Sequence, residues 1–277
     1  MAIFIDGHVH LYSEFFLDQF FAAAFENFSS AAAKQGVSAH SQYVLALTEG
    51  GASNVFSLLY QKDLSLNDSF HLQKTAEPES LLVSKGNQTI VLIAGRQLVS
   101  KENIELLSLF SLVNIADRTL PLRDLAQRIT DNKGLAVVPW GVGKWFGTRE
   151  KVVADLLDSS VDFPLLCGDN GNRPLFWPEP ELLRRACDSG IPLLSGSDPL
   201  PLSSHGRRPA SFGSFLRHGE ISMDSPASSL KQLLVRTASE KIKLESFGRR
   251  IGSLQFVSDQ LRINLRNRLP GSSSAAQ

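Results

Sequence analysis

Short, nearly continuous apolar runs alternate with helix-forming segments along this chain, and no other feature restricts its fold as tightly. QYVLALT (42–48), LAVVPW (135–140), FPLLCG (163–168) and IPLLSGSD (191–198) have the length of strands and no polar face. Strands of that kind are buried on both sides, which is the habit of a mainly parallel sheet covered by helices. The intervening segments fit. Residues 15–34 carry Phe16, Phe20, Phe21, Ala24, Phe25 and Phe28 at helical spacing and stop near Gly36. LRDLAQRITDNKG (122–134) and PELLRRACDSG (180–190) are amphipathic and end in glycine, and a helix is expected near 148–158. LLVSKGNQTIVLIAG (81–95) predicts a hairpin turning at Lys85-Gly86-Asn87, and IELLSLFSLV (104–113) a further strand. The class is therefore α/β. About seven such strands predict a closed β/α barrel rather than an open sheet. The polar stretch 50–80 falls outside the barrel core, and helices from about 227 onward close the chain.

Size and charge narrow the function. A chain of 277 residues, 43% hydrophobic, can bury one large core. With 28 basic and 28 acidic residues it carries no footprint for nucleic acid. No run reaches transmembrane length and no basic leader precedes an apolar core, so no membrane role is expected. Two cysteines, Cys167 and Cys187, form neither a disulfide framework nor a zinc spacing, as expected of a reduced cytoplasmic protein.

In a barrel the loops after the strands share one end, where barrel enzymes keep their chemistry. The strand ends here place His8 and His10, Glu49, Arg96 and Gln97, Trp140 and Lys144, Asp169 to Arg173, and Asp198 together. His8 and His10, in FIDGHVHLY, stand on one face of an extended strand. Two imidazoles plus a distant carboxylate suit a metal site with an open position; the alternative is a pair of hydrogen-bonded polar residues at a strand end. Asp198 is equally at home in a Gly-Ser-Asp-Pro turn. GDNGNRP (168–174) offers an anion-binding nest with Asn172 and Arg173, or an ordinary Asx-rich turn. Arg96 follows an apolar strand and must find an anion or reach solvent. SSHGRRP (203–209) sets His205, Arg207 and Arg208 in a loop that covers an anionic substrate or is simply solvated.

The ordered segments DGHVH, ALTEGG, LIAGRQL, IELLSL, GLAVVPWG, GDNGNR and LLSGSD resemble the PHP (polymerase and histidinol phosphatase) family over about two thirds of the chain. The resemblance implies a distorted (β/α)7 TIM-like barrel of the PHP type, taken to span 1–222; the residues that follow predict C-terminal helices at 223–269 packed on the barrel and a disordered tail at 270–277. It also implies a metal-dependent hydrolase, in particular a phosphoesterase acting on a small phosphorylated substrate.

The family's metal ligands are only partly kept. Its second-strand TDH reads Thr48-Glu49-Gly50, its bridging glutamate is Gln97 and its next histidine is Glu105. Its HP reads Val138-Pro139, and its closing GSDAH reads Gly196-Ser197-Asp198-Pro199-Leu200. What remains implies one divalent ion (Zn, Mn or Fe) on His8, His10 and Asp198 with Gln97. Glu49 or Glu105 would serve as ligand or general base if either points inward. Arg96, Arg173 and Lys144 would neutralise phosphoryl charge, and Asn172, His205 and Arg207 would contact substrate. Two rivals remain: a barrel that binds without catalysing, and an amidohydrolase-type enzyme cleaving C–N bonds.

Overall fold

The computed structural model describes residues 1–37, 41–159 and 161–268. Twelve strands and seven helices are assigned among them. The strands are β1 (Ala2–Val9), β2 (Ser41–Leu47), β3 (His71–Lys74), β4 (Ser80–Lys85), β5 (Gln88–Ile93), β6 (Gly95–Val99), β7 (Glu105–Leu109), β8 (Leu135–Pro139), β9 (Leu165–Asn170), β10 (Leu193–Gly196), β11 (Phe212–Leu216) and β12 (Glu245–Gly248). The helices are α1 (Leu17–Lys34), α2 (Val55–Gln61), α3 (Leu122–Asp131), α4 (Thr148–Asp158), α5 (Glu181–Asp188), α6 (Pro226–Ser239) and α7 (Ser253–Arg268). None of the helices is long and apolar enough to cross a membrane.

The strands form two mixed sheets. One has seven strands in the order β12-β11-β1-β2-β5-β4-β3, the other five in the order β10-β9-β8-β7-β6. The α/β class expected from the sequence is present, but the (β/α)7 TIM-like barrel is not, and that expectation is corrected. Two features overturn it. Hairpins replace β/α units at β3-β4-β5 and β6-β7, so antiparallel pairs interrupt the parallel order. And among the described residues the strand ladder does not close: β1 pairs with β2 and β11, and β10 with β9 alone. Periodicity shows that a strand is buried, but not which neighbour takes its hydrogen bonds.

The apolar strands read from sequence are buried on both faces, as their composition requires. In β1, Phe4 points to a cluster formed with Phe20, Phe21, Phe25 and Phe28 of α1. Ile3 and Ile5 point the other way, to an inner cluster with Val44, Val91, Leu107, Val137, Leu166 and Leu194 from both sheets. Leu230, Leu233 and Leu234 of α6 join that inner cluster. A third cluster packs α3, α4 and α5 on the outside of the five-stranded sheet. Residues 223–268 thus contribute more than helices, because β12 forms the outer strand beside β11. The tail expected at 270–277 lies outside the described residues.

Two seams between the sheets position the site. At one, β5 runs through Ala94 into β6, and Glu49 bridges to Arg96. At the other, β10 passes against His8 so closely that a Cβ on Gly196 would stand 2.2 Å from the His8 backbone nitrogen. Only glycine allows that approach. The β1–β2 register shifts between Asp6 and Val9, so the ladder is irregular where the His-Val-His segment leaves the sheet.

Candidate metal centre

His8, His10, Gln97 and Asp198 converge between the two sheets. The Nε2 atoms of His8 and His10 are 3.1 Å apart, and each is 3.1 Å from Gln97 Oε1. Asp198 Oδ1 lies 3.6 Å from both Nε2 atoms. Four donors held tetrahedrally at roughly 2.0–2.1 Å from one ion stand roughly 3.3–3.4 Å apart, so these five separations straddle the value a small divalent cation demands. The three titratable members form the one His/Cys/Asp/Glu group among the described residues arranged to hold a metal ion.

The electrostatics agree with that geometry. Burial, then the neighbouring His8 ring, lowers His10 to about 4, so at neutral pH its imidazole is an uncharged lone-pair donor. Its ring also hydrogen-bonds to the Thr48 backbone. With Nε2 facing Gln97, Nδ1 is the atom left for that bond, which fixes the ligating tautomer. His8 Nδ1, by contrast, is buried without a partner, so His8 lacks this outer support. Burial works to raise the Asp198 carboxyl, but the facing His8 and His10, the Asn172 amide and the Arg208 guanidinium together hold it below the usual carboxylate range. Neutral imidazole, a carbonyl oxygen and one carboxylate form a donor set suited to Zn²⁺, and with added waters to Mn or Fe.

Asp198 is locked from several directions. Its backbone sits in the left-handed region, with φ of +46°. Its N–H donates to the His8 carbonyl at 2.8 Å, and its own carbonyl accepts from Asn172 Nδ2 at 2.5 Å. Asn172 Oδ1 in turn accepts from Arg208 Nη1 at 2.6 Å. Behind Arg208 stands His205, fully buried, whose Nδ1 accepts from the Leu200 N–H at 2.9 Å. The His205 proton is therefore on Nε2, which faces Asp259 Oδ2 of α7 at 3.0 Å. Asp6, from β1, secures the other side. Its carboxylate accepts from the Ser197 N–H (2.8 Å), the Ser197 hydroxyl (2.5 Å), the Ala210 N–H (2.7 Å) and the His8 N–H (3.4 Å).

The remaining expected residues take other places. Glu49 Oε1 accepts from the Phe56 N–H at 3.1 Å and the Ser53 hydroxyl, so it caps the start of α2. Arg96 donates to the Ser53 carbonyl (2.6 Å) and Asn54 Oδ1 (2.9 Å), away from the four donors. Arg173 is buried in a two-point pair with Asp169, at 2.8 and 2.6 Å, and also reaches the Trp177 carbonyl. Asn172 and His205 belong to the bracing just described. Arg207 is exposed. Glu105 and Lys144 form a half-exposed pair at 3.1 Å. The sequence places Arg208 in the basic loop after Asp198 but does not show its bracing role, and it singles out none of Asp6, Asp259 and Tyr12. Asp6 had a signal, as an acid inside an apolar strand two residues before His8. Asp259 had none, because its partner His205 is remote in sequence.

His205 gives a pH prediction. Burial, then the Arg208 charge, holds His205 below its ordinary value although Asp259 opposes this. The folded state therefore resists a proton that the unfolded chain accepts below roughly pH 6.5. The stability this group contributes is complete above that pH and is lost as pH falls. Urea midpoints at pH 7.5 and 5.5 are expected to differ less in His205→Gln than in the parent; an unchanged difference would refute the assignment.

The fold and site together define an α/β protein with a candidate mononuclear metal centre. Among solved structures the chain is similar to PsfC from Pseudomonas syringae PB-5123, with a TM-score of 0.54 and 13% identity, over 95% of this chain and 99% of that one. That likeness is one of fold. Endonuclease Q bound to a 27-mer duplex with an abasic lesion aligns with a TM-score of 0.42 and 14% identity, over 84% of this chain and 57% of that one. No protein-family model matches the sequence, and no curated protein does.

Proposed function

We propose that this chain is a metal-dependent hydrolase of the PHP type that works with a single divalent ion. The observation that carries the reading is the convergence of His8 Nε2, His10 Nε2, Gln97 Oε1 and Asp198 Oδ1 at 3.1–3.6 Å. A bound ion supplies a water acidified toward neutral pH and charge stabilisation for the reacting group. The chain's own residues do the rest. His10 is held in the ligating tautomer by Thr48. Asp198 brings one negative charge, so a divalent ion keeps a net positive charge toward substrate. Glu105, partly exposed and paired with Lys144, would take up a proton.

The order of motifs that resembles the PHP family makes phosphate esters the first substrate class, with Lys144 as the basic side chain that would meet the phosphoryl group. One observation favours a second reading. Arg96 and Arg173 are both tied to protein acceptors, which leaves less positive charge for a phosphoryl dianion and suits an uncharged carbonyl, as in C–N bond hydrolysis.

Elemental analysis of protein purified without added metal tests the reading. About one equivalent of Zn, Mn or Fe is expected, together with hydrolysis of one member of a panel of phosphate monoesters, diesters and cyclic amides, abolished by chelation and restored by metal. Protein that takes up no metal even when incubated with all three ions would overturn it and leave a binding role.

A further inference from the structure

The residue that follows the two histidines in alternation, Tyr12, is free to act on a ligand. Its ring stacks on His10, with centroids 5.4 Å apart and planes at 28°. Phe15 packs against it edge-on at 5.6 Å and 86°. The ring is thus clamped beside the metal centre. Its hydroxyl makes no hydrogen bond among the described residues, yet it is not buried away from water, since it is absent from the sealed, unpaired polar atoms His8 Nδ1, Trp145 Nε1 and Ser211 Oγ. Asp198, Glu105, Glu14 and Arg266 are near enough to act on it electrostatically, and Arg266 is paired with Glu14. An unengaged O–H donor is therefore carried on a ring stacked against one of the four candidate ligands, while Arg96, Arg173 and Arg208 are all engaged elsewhere.

We infer that Tyr12 is a catalytic residue of this site: its hydroxyl donates a hydrogen bond to the substrate oxygen that gains negative charge beside the ion. The inference rests on the metal-hydrolase reading. A donor fixed by stacking needs no reorganisation when charge develops, which is the condition for effective oxyanion stabilisation. Hydrogen bonds to charged oxygen are about twice as strong as neutral ones.

The test uses the full chain loaded with zinc and titrated calorimetrically with inorganic phosphate as the oxyanion. Tyr12→Phe keeps the stacked ring and removes only the hydroxyl. It is expected to hold the same zinc content as the parent and to bind phosphate roughly 10- to 100-fold more weakly, the range of one charge-assisted hydrogen bond. Unchanged phosphate affinity, or zinc-loaded parent that binds no phosphate, would overturn the inference while leaving the metal site standing. Loss of zinc from Tyr12→Phe would also overturn it, making the residue a support for His10. Parent protein without zinc would remove the metal-hydrolase reading and this inference with it.

Discussion

Asp6→Ala is expected to lower the stability of the fold by about 3–5 kcal/mol in urea unfolding at neutral pH, more than an ordinary surface or single-contact substitution. The carboxylate receives four donors, three of them backbone N–H groups of His8, Ser197 and Ala210. All three positions are buried, and Asp6 itself has no exposure. Alanine leaves these donors without acceptors, at about 1–3 kcal/mol for each well-formed bond lost. One term opposes the loss. Burial pushes the Asp6 carboxyl up to about 6 despite its donors, so holding it ionised at neutral pH already costs some stability. Asp6→Asn separates the two, because it removes the charge but turns an N–H₂ toward groups that donate. It is expected to fall between the parent and alanine. A loss below about 1 kcal/mol in Asp6→Ala would mean that water replaces the carboxylate and that β1 and the 196–210 segment hold together without it.

The second large effect concerns the ion and has two signs. Asp198→Asn is expected to weaken zinc binding by roughly a thousandfold or more, measured by competition with a chromogenic chelator, because it removes the only negative charge among the four donors. Gln97→Glu is expected to strengthen it by at least about tenfold, since it adds a carboxylate at the position already 3.1 Å from both Nε2 atoms. The opposite directions matter more than either size. A purely structural cluster, with His8, His10 and Asp198 linked by hydrogen bonds alone, would show no zinc affinity to move and would be destabilised by a second carboxylate beside the first.

The sequence and the structure agree on these donors for an identifiable reason. His8 and His10 lie two apart in a strand, Asp198 ends another and Gln97 follows an apolar run, so local pattern put all four among a longer set of strand-end candidates, and the resemblance to the PHP family picked them out as ligands. The hairpin at 81–95 and the helix near 148–158 were legible on the same grounds and appear as β4-β5 and α4. β6 was not, because Gly95-Arg96-Gln97 reads as the end of β5 when it is a turn of the chain into the second sheet. Closure of a barrel was not legible either, since it depends on whether β1 and β10 exchange hydrogen bonds. The roles of Arg96, Arg173 and Glu49 depended on partners that composition does not reveal: Asn54, Asp169 and the N–H of Phe56. Asp6 and Ser197 meet across 191 positions.

The four donors do not come from one layer. His8 and His10 belong to the segment led by β1 in the seven-stranded sheet, whereas Gln97 lies in β6 and Asp198 follows β10, both in the five-stranded one. Any cation seated among them rivets two sheets that share no continuous ladder at that edge. Loading would then do more than arm the chemistry. A ligand present at a hundred times its dissociation constant adds about 2.7 kcal/mol to the folded state. That gain would be concentrated where β1 and β10 pack side by side, so amide exchange along this line should slow on metal uptake while the outer helices keep their pace.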